Sequence, residues 1–355
     1  MRVAVIGVGL IGGSVALAAR ARAGAMVTGA DTPQVLAEAT ARGAIDRAAE
    51  TVEEAVGDAE AVFVAAPVGA LPELVRAVLR AAPVDCVVSD VGSVKRALVA
   101  GIEDPRFVGG HPLAGAETAG VAHARADLFE GATWYLTPRP ATSGVLYERL
   151  HRLLHALGAR PSAIDPATHD RVLAAVSHLP HVLANVLVAQ AAATLTVGEQ
   201  PLPATGPSFR DATRVAGAPS AIWTDIYLHN REAIIAEIDG VLERLRDARE
   251  RLLAADAGAV SAWNDDAASD RRRLLERELV GGALFELRIS VPNRPGVIAE
   301  LALELGRVAV NIADMALYPA SDMREGVIAL WIAGSAEAQR AQELIAGLGF
   351  PVASP

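Results

Sequence analysis

The first fourteen residues constrain this chain most. Met1-Arg2-Val3-Ala4-Val5-Ile6 is a short apolar run rich in β-branched residues, the pattern of a strand buried on both faces of a parallel sheet. Gly7-Val8-Gly9-Leu10-Ile11-Gly12 follows as a complete G-x-G-x-x-G, and Gly13-Ser14 leads into a helical run from Val15 to Arg20. Gly7 permits the tight turn, Gly9 lets the backbone approach a pyrophosphate, and Gly12 lets the helix pack closely on the strand. The helix N-terminus adds unpaired N–H groups and positive dipole character. Met26 to Ala30 reads as a second strand, ending at Asp31 nineteen positions after Gly12, where an acidic side chain takes the adenosine ribose hydroxyls. Together these features predict a dinucleotide site for NAD built from Gly7, Val8, Gly9, Leu10, Ile11, Gly12 and Asp31. The alternative, a glycine-rich turn in some other α/β fold, lacks a reason for the flanking strands and the acid.

Length and composition bound the rest. The 355 residues suit two or three domains, and with 52% hydrophobic but only 4% aromatic residues their cores must be mostly aliphatic. A net charge of −10 argues against a general nucleic-acid binder. The single cysteine, Cys86, sits in an apolar run and reads as core filler, so no disulfide framework is expected. The N-terminus is already a strand, and no uninterrupted apolar run reaches a membrane-spanning length. A soluble, cytoplasmic protein with no membrane partner is the expectation. Lys95 is the only lysine; arginine is used everywhere else.

Strand and helix patterns alternate through residues 1–163, which predicts a parallel sheet with helices on both faces. Strands are expected over 59–66, 85–89, 106–112 and 133–136. Open α/β sheets bind ligands beyond the carboxyl ends of their strands, which places Pro67, Ser93 and His111 near the reactive end of the cofactor. From about residue 164 strand signals stop. Val172 to Leu195 is almost wholly apolar, interrupted by Ser177-His178-Leu179-Pro180-His181, and Trp223 to Arg251 reads as one long amphipathic helix. Residues 261–278 are charged and read as the end of a helical domain plus a linker. Residues 284–353 then alternate as β-α-β-β-α, the order of a small ferredoxin-like α+β module.

Five motifs converge on one family. GVGLIGGS at Gly7–Ser14, DVGSVK at Asp90–Lys95, GGHPLAGAE at Gly109–Glu117, SHLPH at Ser177–His181, and DATR at Asp211–Arg214 with Trp223 together resemble prephenate dehydrogenases of tyrosine biosynthesis, over about residues 1–280. The tail, with VPNRPGV at Val291–Val297 and VNI at Val310–Ile312, resembles an ACT regulatory domain, a kind that usually pairs and binds an amino acid. The resemblance implies a Rossmann-type NAD domain (1–163), an all-α substrate and dimerisation domain with linker (164–282) and an ACT domain (283–355). It implies oxidation of prephenate by NAD+ to 4-hydroxyphenylpyruvate, CO2 and NADH. A hydride leaves C4, the 4-hydroxyl loses its proton, the ring carboxylate departs, and aromatisation drives the change. Arogenate, with an amine in place of the ketone, is the alternative substrate.

Within that frame His111 is the expected base for the 4-hydroxyl, since a neutral imidazole suits that work near pH 7. Ser93 either hydrogen-bonds the same hydroxyl or caps a helix. Arg214 either clamps the ring carboxylate with its planar fork or pairs with Asp211, or does both. His178 and His181 share a helix face if the run is helical, one or both toward the substrate side chain, and Trp223 is a further expected substrate contact. Glu117 and Arg210 form either a charge pair at the entrance or a solvated surface pair. No metal site is expected, because the histidines lack a further local ligand. In the tail, Asn293, Pro295, Gly296 and Asn311 are the expected effector contacts, for tyrosine, between two tails of a homodimer. A β-hydroxyacid dehydrogenase would carry a lysine four residues before an asparagine, whereas here the pair is His181 and Asn185. A non-catalytic NAD sensor would not need Ser93, His111, His181 and Arg214 together.

Overall fold

The computed structural model describes residues 1–115, 118–195, 205–276, 283–292, 297–308, 310, 312–319 and 325–353. The chain divides into two compact units, 1–244 and 245–355. The first begins β1 (Arg2–Ile6), α1 (Leu10–Ala23), β2 (Met26–Ala30), α2 (Pro33–Ala41), β3 (Arg47–Ala49), α3 (Val52–Val56), β4 (Ala61–Val64), α4 (Leu71–Ala81), β5 (Val87–Asp90), α5 (Arg96–Ala100) and β6 (Phe107–Pro112). It continues through β7 (Thr133–Thr137), α6 (Gly144–Ala156), β8 (Arg160–Ala163), α7 (Pro166–Leu173), α8 (Leu179–Leu195), α9 (Pro207–Thr213), α10 (Ser220–His229) and into α11 (Arg231–Ala254).

Eight strands form one sheet in the order β3-β2-β1-β4-β5-β6-β7-β8. The period of two divides each central strand between two cores. Val3 and Val5 of β1 and Phe63 of β4 pack with α1 and α6 on one face, while Ala4, Ile6, Val62 and Val64 pack with α3 and α4 on the other. Each of the valine, isoleucine and phenylalanine side chains among them, fully buried, contributes about 1.5–3 kcal/mol. The expectation of a parallel sheet needs one correction: β7 runs antiparallel to β6. A parallel return needs a crossover, usually a helix; the described part of 113–132 holds only a short 3-10 turn, Val121–His123. The carboxyl ends of β1, β4, β5 and β6 therefore lie side by side, and with them the glycine loop, Pro67, Ser93 and His111.

The helical part departs from the sequence reading in three places. First, α7 and α8 join through a π-helical turn, Ala174–His178, into one helix over Pro166–Leu195. Pro180 has no N–H to donate to the carbonyl four residues back and would clash with it, and a wider turn relieves both. At 30 residues with a mean hydropathy of 1.7 over its most apolar stretch, this helix is long and apolar enough to cross a membrane by length and composition, which the uninterrupted apolar runs alone did not suggest. Only Leu179, His181 and Ala184 of α8 are buried; Leu183, Val186 and Leu187 are exposed. Second, the expected helix from Trp223 breaks at Asn230, whose buried amide donates to the Asp170 carbonyl at 2.8 Å. Third, the supposed linker is helical: α12 spans Ala257–Glu276.

In the second unit β9 (Leu284–Pro292), α13 (Val297–Arg307), β10 (Ile312–Pro319), β11 (Glu325–Ala333), α14 (Ser335–Gly347) and β12 (Val352–Ala353) follow α12. The sheet order is β10-β11-β9-β12, with all three pairings antiparallel. Leu287, Ile289 and Val291 alternate inward onto a core shared with Leu301, Ile328, Leu330 and Ile345. β12 was not foreseen; two residues are too few for a periodic signal.

Candidate active site

The glycine loop is shaped by contacts that exclude side chains at two positions and leave one open. Gly7 has φ +89°, and a Cβ there would lie 2.3 Å from the Ala65 carbonyl oxygen; a Cβ on Gly12 would lie 1.9 Å from the Gly7 oxygen. A Cβ on Gly9 would meet nothing within 4 Å. Gly9 is also the N-cap of α1 and supplies no side-chain cap, so the first N–H groups of Leu10 and Ile11 face that open space. This arrangement fits a dinucleotide pyrophosphate. Asp31 has a second role: its Oδ2 accepts the Val8 N–H at 2.7 Å and its Oδ1 the Thr32 N–H at 2.6 Å. A carboxylate has about four lone-pair sites, so ribose hydroxyls still find acceptors there. Pro67 closes β4 and caps the short turn Val68–Ala70, whose Gly69 N–H donates to Asp225 of α10 at 2.8 Å.

His111, the fifth residue of β6, keeps part of its surface open. Its Nδ1 lies 3.0 Å from His169 Nε2, and His169 Nδ1 lies 2.8 Å from Asp170 Oδ1. The two Asp170 oxygens also accept the Lys95 and Arg96 N–H groups at 2.8 and 2.9 Å, which caps α5 from α7. Such a carboxylate only accepts, so His169 donates from Nδ1 and accepts at Nε2. His111 must then donate from Nδ1, which leaves its Nε2 a bare acceptor. Burial, then the neighbouring His169, Lys95 and His178, holds the His111 imidazole well below its ordinary pKa, so it is neutral at pH 7. The Tyr135 ring stands edge-on to His169, with centroids 5.7 Å apart. The helix-cap alternative for Ser93 is corrected here, because Asp170 does that work and the α5 N-cap residue is Lys95.

A second cluster lies in the helical part. His181 stacks on Trp223 with centroids 3.5 Å apart, and its Nδ1 is 2.5 Å from the Tyr227 hydroxyl. His178 stands edge-on to the same indole at 6.1 Å, with Nδ1 3.1 Å from Asn230 Nδ2. Both histidines are buried. Burial takes His178 down to about 4, opposed by the charge of Asp170. It also lowers His181, partly offset by the Val215 backbone. Arg214 opens the turn Arg214–Gly217, which packs on α8, so Arg214 sits one residue from that backbone; its own side chain is exposed. Asp211 and Arg210 are exposed on α9, and the Arg210 guanidinium donates to the Thr205 carbonyl at 3.4 Å. Glu117, Asn293, Pro295, Gly296 and Asn311 lie outside the described residues. Cys86 is fully buried and its thiol is pushed up to about 12, the behaviour of core filler. No group of three or more possible metal ligands occurs among the described residues.

Sequence reasoning missed His169, Asp170, Tyr227, Asn230 and Lys95. Adjacent residues such as His169 and Asp170 do not face each other on a regular helix, so nothing in the pattern marks them as a relay. Only the fold brings α7 beneath β6.

The profile of "Prephenate dehydrogenase, nucleotide-binding domain" matches residues 15–162, and that of "Prephenate dehydrogenase, dimerization domain" matches residues 165–263. The chain belongs to the prephenate dehydrogenase family. It is 31% identical over 351 residues to the prephenate dehydrogenase of Bacillus subtilis, covering 96% of this chain and 94% of that one. Among solved structures it resembles prephenate dehydrogenase from Aquifex aeolicus in complex with hydroxyphenyl propionate and NAD+, at TM-score 0.72 and 30% identity over 77% of this chain and 98% of that one. It also resembles Synechocystis arogenate dehydrogenase, at TM-score 0.66 and 25% identity over 77% of this chain and 100% of that one.

Proposed function

We propose that this family member is an NAD+-dependent oxidoreductase that converts prephenate to 4-hydroxyphenylpyruvate and CO2. The observation that carries the reading is the line Asp170–His169–His111, which leaves a neutral imidazole with a bare Nε2 at the sheet edge where the glycine loop opens. NAD+, when bound, supplies the hydride acceptor. Gly9 and the uncapped α1 N–H groups hold its pyrophosphate, Gly7, Val8 and Gly12 shape that loop, and Asp31 takes the ribose hydroxyls and disfavours a 2′-phosphate. Pro67 and Ser93 line the nicotinamide end.

His111 Nε2 takes the 4-hydroxyl proton as the hydride leaves C4 and returns it to the phenolate oxygen once CO2 has departed, and the Asp170–His169 line stabilises the imidazolium in between. Ser93 hydrogen-bonds the same hydroxyl. Arg214, oriented by Asp211, holds the ring carboxylate until the C1–carboxylate bond breaks, its electron pair passing into the ring as CO2 departs. His181, neutral and stacked on Trp223, meets the keto-acid side chain, and His178 supports that wall. Arg210 and Glu117 guard the entrance. A neutral histidine suits a ketone better than an ammonium, which favours prephenate over arogenate. Measuring NADH formation with prephenate and with arogenate tests the reading: kcat/KM higher with arogenate reverses the substrate assignment, and no NADH with either removes it.

The same reading divides the chain at 163 and 282 into NAD, helical and ferredoxin-like ACT domains, in a cytoplasmic homodimer. The exposed apolar side of α8 supports the dimer, since such a surface needs a partner. In the tail, Asn293, Pro295, Gly296 and Asn311 hold a tyrosine effector. Calorimetric titration of tyrosine into wild type, Asn311→Ala and a 1–282 truncation, beside an activity assay of each, separates the cases: unchanged inhibition of the truncation would place the effector at the active site instead.

A further inference from the structure

Lys95 is the only lysine in a chain that uses arginine at every other basic position, and it has no exposed surface. A fully buried ammonium is retained only against a counter-ion and further acceptors. Its Nζ donates to Asp90 Oδ2, and to the Val94 carbonyl at 3.1 Å. Asp90 is equally buried, and its carboxylate does more than neutralise the lysine. Oδ2 accepts the Gly92 N–H at 2.8 Å and Oδ1 accepts the Gly110 N–H at 3.0 Å. Gly92 precedes Ser93, and Gly110 precedes His111. One carboxylate thus fixes the backbone entry to both residues, one in the loop after β5 and the other on β6.

The space around the lysine is full. A Cβ on Gly92 would sit 3.4 Å from Nζ, and one on Gly109 would sit 3.3 Å from Cδ. A guanidinium, longer and planar, has no room there. We propose that Lys95 is a positioning residue for the reaction: its buried pair with Asp90 holds Ser93 and His111 in one geometry, and arginine cannot take its place. The kinetic part of this inference rests on the dehydrogenase reading above.

The groups facing His111 are His169 and Asp170 from α7, His178 from the π turn, Tyr135 from β7, and the Asp90–Lys95 pair from β5 and the loop after it. Removing the lysine charge leaves Asp90 uncompensated near His111, and both changes favour the protonated imidazole. The acid limb of kcat/KM then moves up by roughly one pH unit.

Lysine-selective 15N labelling gives the test a direct readout, because one side-chain ammonium signal is all the chain can produce. In wild type that signal should persist in water as a slowly exchanging ammonium, protected by burial and by Asp90. A signal that exchanges with solvent as fast as that of an exposed lysine refutes the buried pair. In kinetics, Lys95→Met should lower kcat about 30-fold or more and raise the acid limb. Lys95→Arg should fail to rescue either. A Lys95→Arg enzyme with wild-type kcat, or a Lys95→Met profile that overlays wild type, overturns the proposal. Lys95→Met/Asp90→Asn removes both charges in nearly the same shape and guards against a single variant that does not fold. It should fold, return the acid limb toward wild type and keep a low kcat, because one amide oxygen cannot hold both N–H groups as the carboxylate does. Wild-type kcat in the double variant also overturns the proposal. Absence of wild-type turnover with prephenate would sink the functional reading, while the 15N signal still decides the pair.

Discussion

Replacing His169 by asparagine cuts the link between Asp170 and His111 and leaves Asp170 its two backbone donors on α5. The acceptor 3.0 Å from His111 Nδ1 is lost. In turnover His111 gains a proton, so the missing acceptor would have faced a charged donor. Such a hydrogen bond contributes about 1.5–3 kcal/mol. At about 1.36 kcal/mol per decade of rate, kcat falls roughly 10- to 150-fold. NAD+ affinity stays near wild type, because the glycine loop and Asp31 do not touch His169. The assay is initial-rate NADH absorbance with prephenate at saturating NAD+, with NAD+ binding followed separately by quenching of tryptophan fluorescence. A kcat within about twofold of wild type, with NAD+ binding intact, would mean that His111 acts without the relay and that the tautomer argument is wrong.

Acidification should destabilise the fold. His178 sits at about 4 in the folded chain against 6.5 as its ordinary value, and His111 is also lowered. As pH falls from 6.5 toward 4 the unfolded chain takes protons that the folded one refuses, and His178 alone accounts for about 3 kcal/mol of lost stability. A thermal midpoint that stays flat across that window contradicts the burial of these rings. Gly9→Ala should fold normally and raise the KM for NAD+, whereas Gly12→Ala should lose stability because its Cβ meets the Gly7 carbonyl; unchanged NAD+ binding by Gly9→Ala removes the pyrophosphate assignment. Cys86 should resist thiol reagents until the chain unfolds, and stoichiometric labelling of native protein speaks against its burial. Deleting residues 284–355 should leave a dimer, and Val186→Glu with Leu187→Glu should break it; light scattering that shows a monomer for the truncation rejects the α8 interface.

The turn proposed to hold the nucleotide was legible in the sequence because it is local. A strand, three glycines and an acid at fixed spacing specify one turn and one helix end, and the structure places Gly7, Gly9, Gly12 and Asp31 around that turn. The alternation of Val3 and Val5 with Ala4 and Ile6 likewise encoded a strand buried on both faces. His111 and Ser93 were legible as residues at strand ends, although their tie through Asp90 was not. What escaped the sequence depends on distant segments meeting. The Asp170–His169–His111 line joins residues 58 positions apart, and helical periodicity gives two neighbouring polar residues no reason to act together. The break at Asn230 has no signal of its own; it exists because a buried amide there serves Asp170 and His178. The antiparallel β7 followed from a connection whose described residues hold no crossover helix, and the exposure of α8 could be seen only once its neighbours were in place. The sequence by itself determined which residues were chemically able to act. Tertiary structure decided which of them touch, because hydrogen bonds and buried charges are settled by distances that no sequence spacing records.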